Sequence, residues 1–145
     1  MLRRVVYGAR ISLAVGVVAV AMYMVIGFVL GALAGYVGGW VDNLIMRFTD
    51  VMLCFPTFVL ILILVGFLGP NLGNVIAVIG LFGWPGVARL VRGQVLQLRT
   101  LDYVLAARTV GAGRWYVMVR HILPNVVGPL SVAGTLGIAG ASLPA

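Results

Sequence analysis

Residues Asp102–Asn125 read DYVLAARTVGAGRWYVMVRHILPN, an arginine-bearing, partly amphipathic stretch set between very apolar ones. From Leu101 to Val110 the residues suit a helix, with Leu101, Val104, Leu105 and Arg108 near one side and the minimal side chains of Ala106 and Ala107 between them. Gly111-Ala112-Gly113 ends that helix and permits a sharp turn. Trp115, Tyr116, Val119 and Ile122 then resume an apolar period, Arg114 and Arg120 fall on other faces, and Pro124 is read as starting the next span. The expectation is a helix–turn–helix lying along a membrane with a short knob at its bend. Taken residue by residue, the stretch is also compatible with an ordinary amphipathic interfacial loop.

The rest of the chain supplies the membrane. It is 63% hydrophobic with a mean hydropathy of +1.18. Ten arginines and three aspartates make up 9% of it, with no lysine and no glutamate, against roughly 25% charged residues in a soluble domain. An all-α, polytopic bundle of transmembrane helices follows. The formal charge is +7. Arg89, Arg92, Arg99, Arg108, Arg114 and Arg120 cluster between apolar segments, as in a positive-inside loop, so nucleic acid is not read as a partner. Cys54 is the only cysteine, which excludes a disulfide framework within the chain; in its apolar run it reads as a small buried hydrophobe.

Four spans are expected, at about 11–36, 51–68, 72–90 and 125–145, with an interfacial segment at 40–50 and a cytoplasmic loop at 91–124, all in one partial membrane domain covering 1–145. The charge-free run from Ile11 to Tyr36 is too long for the roughly 7–15-residue apolar core of a signal peptide. Gly27, Gly31 and Gly35 repeat every fourth residue, which places them on one face where a second helix backbone fits closely, and Gly39 continues the series. In the 40–50 segment Val41, Leu44, Ile45 and Phe48 form an apolar stripe, and Trp40 suits headgroup depth. Pro56 stands near the start of the second span and Gly69-Pro70-Asn71 marks a turn. Trp84-Pro85-Gly86 breaks the third span, either to face a pore or to mark the interface. With the arginine-rich loop inside, Arg3, Arg4 and Arg10 fall outside, so an additional upstream span that sets the orientation is expected, and the chain reads as a fragment.

Catalytic machinery is missing from the sequence. There is no G-x-x-x-x-G-K-[ST] phosphate loop, and Asp42, Asp50 and Asp102 lie near span ends rather than as a carboxylate pair. His121, the lone histidine, reads as a hydrogen-bonded interface residue rather than a metal ligand or proton relay. No charge occupies the middle of an expected span, which disfavours a proton-coupled carrier.

The segment resembles the conserved loop of type-1 permeases of ATP-binding-cassette importers. In that family Glu-Ala-Ala is followed by three residues, Gly, about nine residues, and Ile-x-Leu-Pro. Here the pattern falls on Leu105-Ala106-Ala107, Gly111 and His121-Ile122-Leu123-Pro124. Arg120–Asn125, Tyr7–Leu13, Ala34-Gly35-Tyr36, Asp42, Met46-Arg47, Asp50, Phe55-Pro56 and Ala88–Arg92 are similar to the dipeptide, oligopeptide and nickel branch. Leu105 replaces the usual acidic residue, so a salt bridge from that position is absent, and His121 stands where the general pattern has Ile. The resemblance implies a non-catalytic transport subunit of the inner or plasma membrane. Asp102, Val104, Leu105, Ala106, Ala107, Arg108, Gly111, Ala112, Gly113, His121, Leu123 and Pro124 would form the loop that couples it to ATP-binding subunits. It further implies a second homologous permease, an external substrate-binding protein, and ATP held only by the partner chain, with no cofactor or metal on this one. The rival class is a small passive channel, or a structural membrane protein self-associating through the Gly27/Gly31/Gly35 face.

Overall fold

The computed structural model describes residues 1–142, and every regular element among them is helical. The elements are α1 (Leu2–Val37), α2 (Gly39–Cys54), α3 (Thr57–Leu68), α4 (Leu72–Phe82), α5 (Trp84–Leu98), α6 (Asp102–Thr109), α7 (Arg114–Val117) and α8 (Leu123–Ser142), with a π turn at Met118–Ile122 joining the last two. Leu2–Val37, Leu72–Leu98 and Arg114–Gly140 are long and apolar enough to cross a membrane, and the bent pair α2–α3 makes a fourth if taken as one span. The last three positions of the expected 125–145 span lie outside the described residues.

Several boundaries differ from the reading of the sequence. Helix α1 begins at Leu2 rather than near Ile11 and runs about 54 Å, well beyond a bilayer core of roughly 30 Å. The arginines near its start do not end it, because charge alone does not break a helix with good formers. The 40–50 segment is helical, but α2 continues through Cys54 and the chain then bends by 77° into α3. Pro56 is the cause: it forces Phe55 into extended backbone (φ −87°, ψ 135°), so the expected 51–68 span is divided near its start, where the proline stands. Cys54 is exposed at this elbow rather than buried.

The break after α4 falls at Gly83, and Pro85 sits in the first turn of α5, where its missing N–H costs nothing. Trp84 and Pro85 are buried, and Gly86 is exposed. Trp84 stacks on Phe48 of α2, ring centroids 5.8 Å apart and 11° from parallel. Helix α5 carries the span on to Leu98, into what reads as loop.

Helices α1 and α5 run side by side in the same direction, and the glycines set how closely. A Cβ at Gly27 would meet Val87 Cβ at 2.6 Å, one at Gly35 would meet Val95 Cβ at 2.9 Å, and one at Gly31 would collide with the Ala88 carbonyl. Each step of four along α1 is matched by a step of four along α5. Gly39 stands apart: nothing lies within 4 Å of its position, and its φ of 57°, with 65° at Gly38, makes the pair a turn between α1 and α2. Helix α8 packs antiparallel on α1, with Gly134 against Met24 and Gly137 against Val20. The resulting core joins Ala32, Tyr36, Val87, Val91, Val95, Val104, Val117, Met118, Ile122 and Val126, and sits where α1, α5, α6 and α8 meet.

Candidate functional site

Helix α6 is short because its ends are specified. Asp102 lies in its first turn and Arg108 in its last, each at the favourable pole of the helix dipole. After Thr109 the chain turns through Gly111 (φ 89°). The Gly111 N–H donates to the Arg108 carbonyl at 3.1 Å and the Ala112 N–H to the Ala107 carbonyl at 3.1 Å. This is a Schellman closure with glycine at the left-handed position and an apolar residue at each end of the outer bond. Ala107 and Ala112 are those residues, and both pack on the core. The Ala107-to-Gly111 spacing therefore has a backbone reason: it is the distance from the last satisfied carbonyls to the residue that must reverse the chain.

The buried side of α6 is narrower than its apolar pattern suggests. Val104 is wholly buried against the α1–α5 core, and Ala107 lies beside it. Leu105 is 46% exposed, and Leu101, Ala106, Arg108 and Asp102 also face outward. The expected shared side of Leu101, Val104, Leu105 and Arg108 is thus split. Val104 alone of the four is buried, and its burial contributes about 1.5–3 kcal/mol. Past the bend, Val117, Met118 and Ile122 turn inward, whereas Trp115, Tyr116 and Val119 turn outward, a different set from the one the period indicates.

The π turn explains that change. The Leu123 N–H reaches the Met118 carbonyl, five residues back. Pro124 has no N–H and its ring crowds the carbonyl four residues before it, so a regular turn through Arg120 is disfavoured and the wider turn accommodates the ring. Pro124 is consequently inside one helical run from Arg114 onward rather than at the start of a span. Gly113 is extended (φ −62°, ψ 149°) and precedes α7.

His121 is half-buried, its ring meeting Tyr103 at 6.2 Å and Tyr116 at 6.0 Å edge-on. Aromatic contact, not the expected side-chain hydrogen bond, holds it. Asn125 ties the two ends of the segment, donating from Nδ2 to the Tyr103 hydroxyl at 2.9 Å and to the His121 carbonyl at 2.8 Å. Leu123 is half-buried against the core.

Arg108, expected in the coupling loop, and two residues with no role in the sequence reading, Tyr36 and Arg99, anchor the segment to α1. The buried Tyr36 donates its hydroxyl to the Arg114 carbonyl. Arg108 lies over the Tyr36 ring, 5.8 Å from its centre. Arg99 donates to the Gly35 carbonyl at 3.1 Å. The signal for Tyr36 is a phenol at the end of an apolar span, which needs a polar partner when buried. On the outer side Val110 is 89% exposed and Trp115 64%, beside Leu105 and Tyr116. A knob that leaves Leu105, Val110 and Trp115 free beside exposed Asp102, Arg108 and Arg114, and is tied to the bundle on its inner side, is suited to entering a groove on another protein.

Residues 27–143 match the family described as binding-protein-dependent transport system inner membrane component. The chain is 42% identical over 135 residues to the dipeptide transport system permease protein DppC of Bacillus subtilis (93% of this chain, 42% of that protein). It is 44% identical over 129 residues to the glutathione transport system permease protein GsiD of Pectobacterium atrosepticum (89% and 43%). To the oligopeptide transport system permease protein OppC of Haemophilus influenzae it is 39% identical over 140 residues (97% and 45%). The chain spans less than half the length of each of these relatives.

Proposed function

The chain belongs to the family of binding-protein-dependent transport system inner membrane components, and on that footing we propose that it forms part of the permease of an ATP-driven peptide importer, coupled to its ATPase through residues 102–124. It is a multi-pass protein of the inner membrane. The observation that carries the coupling role is the α6 knob, whose Val104, Ala107 and Ala112 face the core while Val110 and Trp115 stay free. The small exposed residues Ala106 and Gly111 keep the free side of the knob narrow enough to enter a groove.

In this reading the knob sits on an ATP-binding subunit, which alone binds and hydrolyses ATP. Closure of two such subunits moves α6 as a lever. Tyr36, Arg108 and Arg99 pass the movement to α1, and the glycine-packed α1–α5 pair rocks as a unit, switching a central pathway between its two faces. A second homologous permease completes the pathway, and an external binding protein delivers the substrate. The dipeptide, oligopeptide and glutathione permeases named above support a peptide cargo; nothing in them supports nickel or a passive channel.

Site-specific crosslinking tests the coupling. In the full-length permease assembled with its partners, Cys54→Ser removes the native thiol and Val110→Cys supplies one at the knob, with Asn71→Cys at the opposite end of the bundle as control. An adduct with the ATP-binding subunit from position 110 alone is expected. No adduct from position 110 in an assembled complex overturns the reading.

A further inference from the structure

Helix α2 is joined to the rest of the bundle in an unusual way. Its covalent link to α1 is Gly38-Gly39, both at positive φ, a joint with little resistance of its own. Its other end is the Pro56 elbow, a 77° bend into α3. Between the two, side chains hold it against α5 at three places. Asp42 accepts two bonds from Arg92, from Nε and from a terminal nitrogen, the latter at 2.7 Å. Phe48 stacks on Trp84. Asp50 pairs with Arg89.

These ties are unequal. The Asp50–Arg89 side chains are 58% and 50% exposed, and an exposed pair contributes little. Asp42 and Arg92 are 16% and 32% exposed and bidentate, the geometry in which an ion pair fixes orientation as well as distance. Loss of one partner there leaves the other charge part-buried and unneutralised.

Helix α5, on which α2 is held, belongs to the body that the knob drives. It is welded to α1 through Gly27, Gly31 and Gly35, and it leads through Arg99–Leu101 directly into α6. We propose that Asp42 and Arg92 are positioning residues for transport: their ion pair makes α2 ride with α5, so that displacement of the coupling knob reaches the α2–α3 elbow instead of being absorbed at the Gly38-Gly39 joint. This rests on the coupling function proposed above and adds the route by which the motion reaches the second helix pair.

The test uses the full-length permease in the complete importer, reconstituted in vesicles, with two readouts: the adduct from Val110→Cys in a Cys54→Ser background, and peptide uptake per ATP hydrolysed. Asp42→Asn and Arg92→Gln are each expected to keep the adduct and to lower uptake per ATP by roughly 2- to 30-fold. The exchange Asp42→Arg with Arg92→Asp is expected to recover most of that loss, because it restores the pair and nothing else. An unchanged ratio in the single variants, or an exchange no better than either, overturns the proposal.

If the single variants fail to assemble, Asp42→Cys with Arg92→Cys joined by a short thiol-reactive linker replaces them. Linked protein is expected to show the higher uptake per ATP, and equal values with and without the linker overturn the proposal. Absence of the adduct from the complex carrying only Val110→Cys and Cys54→Ser is a failure of the coupling function itself, and removes the proposal with it.

Discussion

The Tyr36 hydroxyl at the end of α1 donates to the backbone carbonyl of Arg114, 78 positions later, at the first residue of α7. One phenol thus ties the long span to the far side of the knob, and its ring also lies under Arg108. Tyr36→Phe removes the bond while keeping the ring. The Arg114 carbonyl still accepts the Met118 N–H, so no acceptor is stranded and the cost is about 0.5–1.5 kcal/mol. Tyr36→Ala also empties a buried site, at about 3–5 kcal/mol. Thermal unfolding of the purified complex should rank unsubstituted protein above Phe and Phe well above Ala; equal melting of the two variants would show that the ring contributes nothing.

Gly31 is where α1 and α5 approach most tightly. Gly31→Ala drives a methyl into the Ala88 carbonyl, and backbone cannot rotate aside as a side chain does, so a loss of about 1–3 kcal/mol is expected. Gly8→Ala, on the same helix with nothing within 4 Å, is expected to be neutral or to stabilise by about 0.5–1 kcal/mol. Thermal melts of the two variants side by side check this, and a Gly31→Ala protein as stable as the parent would contradict the packing.

Gly111 occupies a conformation that a Cβ disfavours, at φ 89° with open space around it. Gly111→Ala is therefore a test of backbone strain alone, worth about 1–2 kcal/mol. Gly111→Asn is expected to lose less, since Asn tolerates the left-handed region. The crosslink yield from Val110→Cys should fall in the same order, Gly then Asn then Ala, if the bend sets the direction of the knob.

Pro124→Ala restores an N–H that can bond the Arg120 carbonyl, and so favours an ordinary α turn over the π turn. Removing the extra residue from that turn rotates Arg114–Val117 by about 100° relative to α8. Val117, now wholly buried, would leave the core. With Val117→Cys in a Cys54→Ser background, labelling by a water-soluble thiol reagent should be slow with Pro124 and faster with Ala. Equal rates would mean that the π turn does not depend on the proline.

Much of this was legible in the residues. The run of apolar residues with few charges sets helices in a membrane, the four-residue repeat of Gly27, Gly31 and Gly35 marks a close-packing face, and Gly111 marks a chain reversal. Those signals are local: each depends on neighbours within about one or two helical turns. Gly39 falls outside the packing series, and Pro56 makes a full break between two helices, for a related reason. A four-residue repeat does not say where a helix stops, and a proline that starts one helix also severs it from the one before.

Which face meets what is settled by the packing of the helices. Val104 turns inward to the core that also holds Val117 and Ile122, while Leu105, equally apolar, stays out. Arg89 and Arg92 read only as members of an arginine cluster until α2 brings Asp50 and Asp42 to them from 39 and 50 positions away. Cys54 looks buried in its apolar run, yet it lies exposed at the elbow. Helical periodicity is written by bonds four residues apart, so nearby residues are enough to specify that these helices form. The partner of each helical face lies dozens of residues away, and only the folded bundle could settle it.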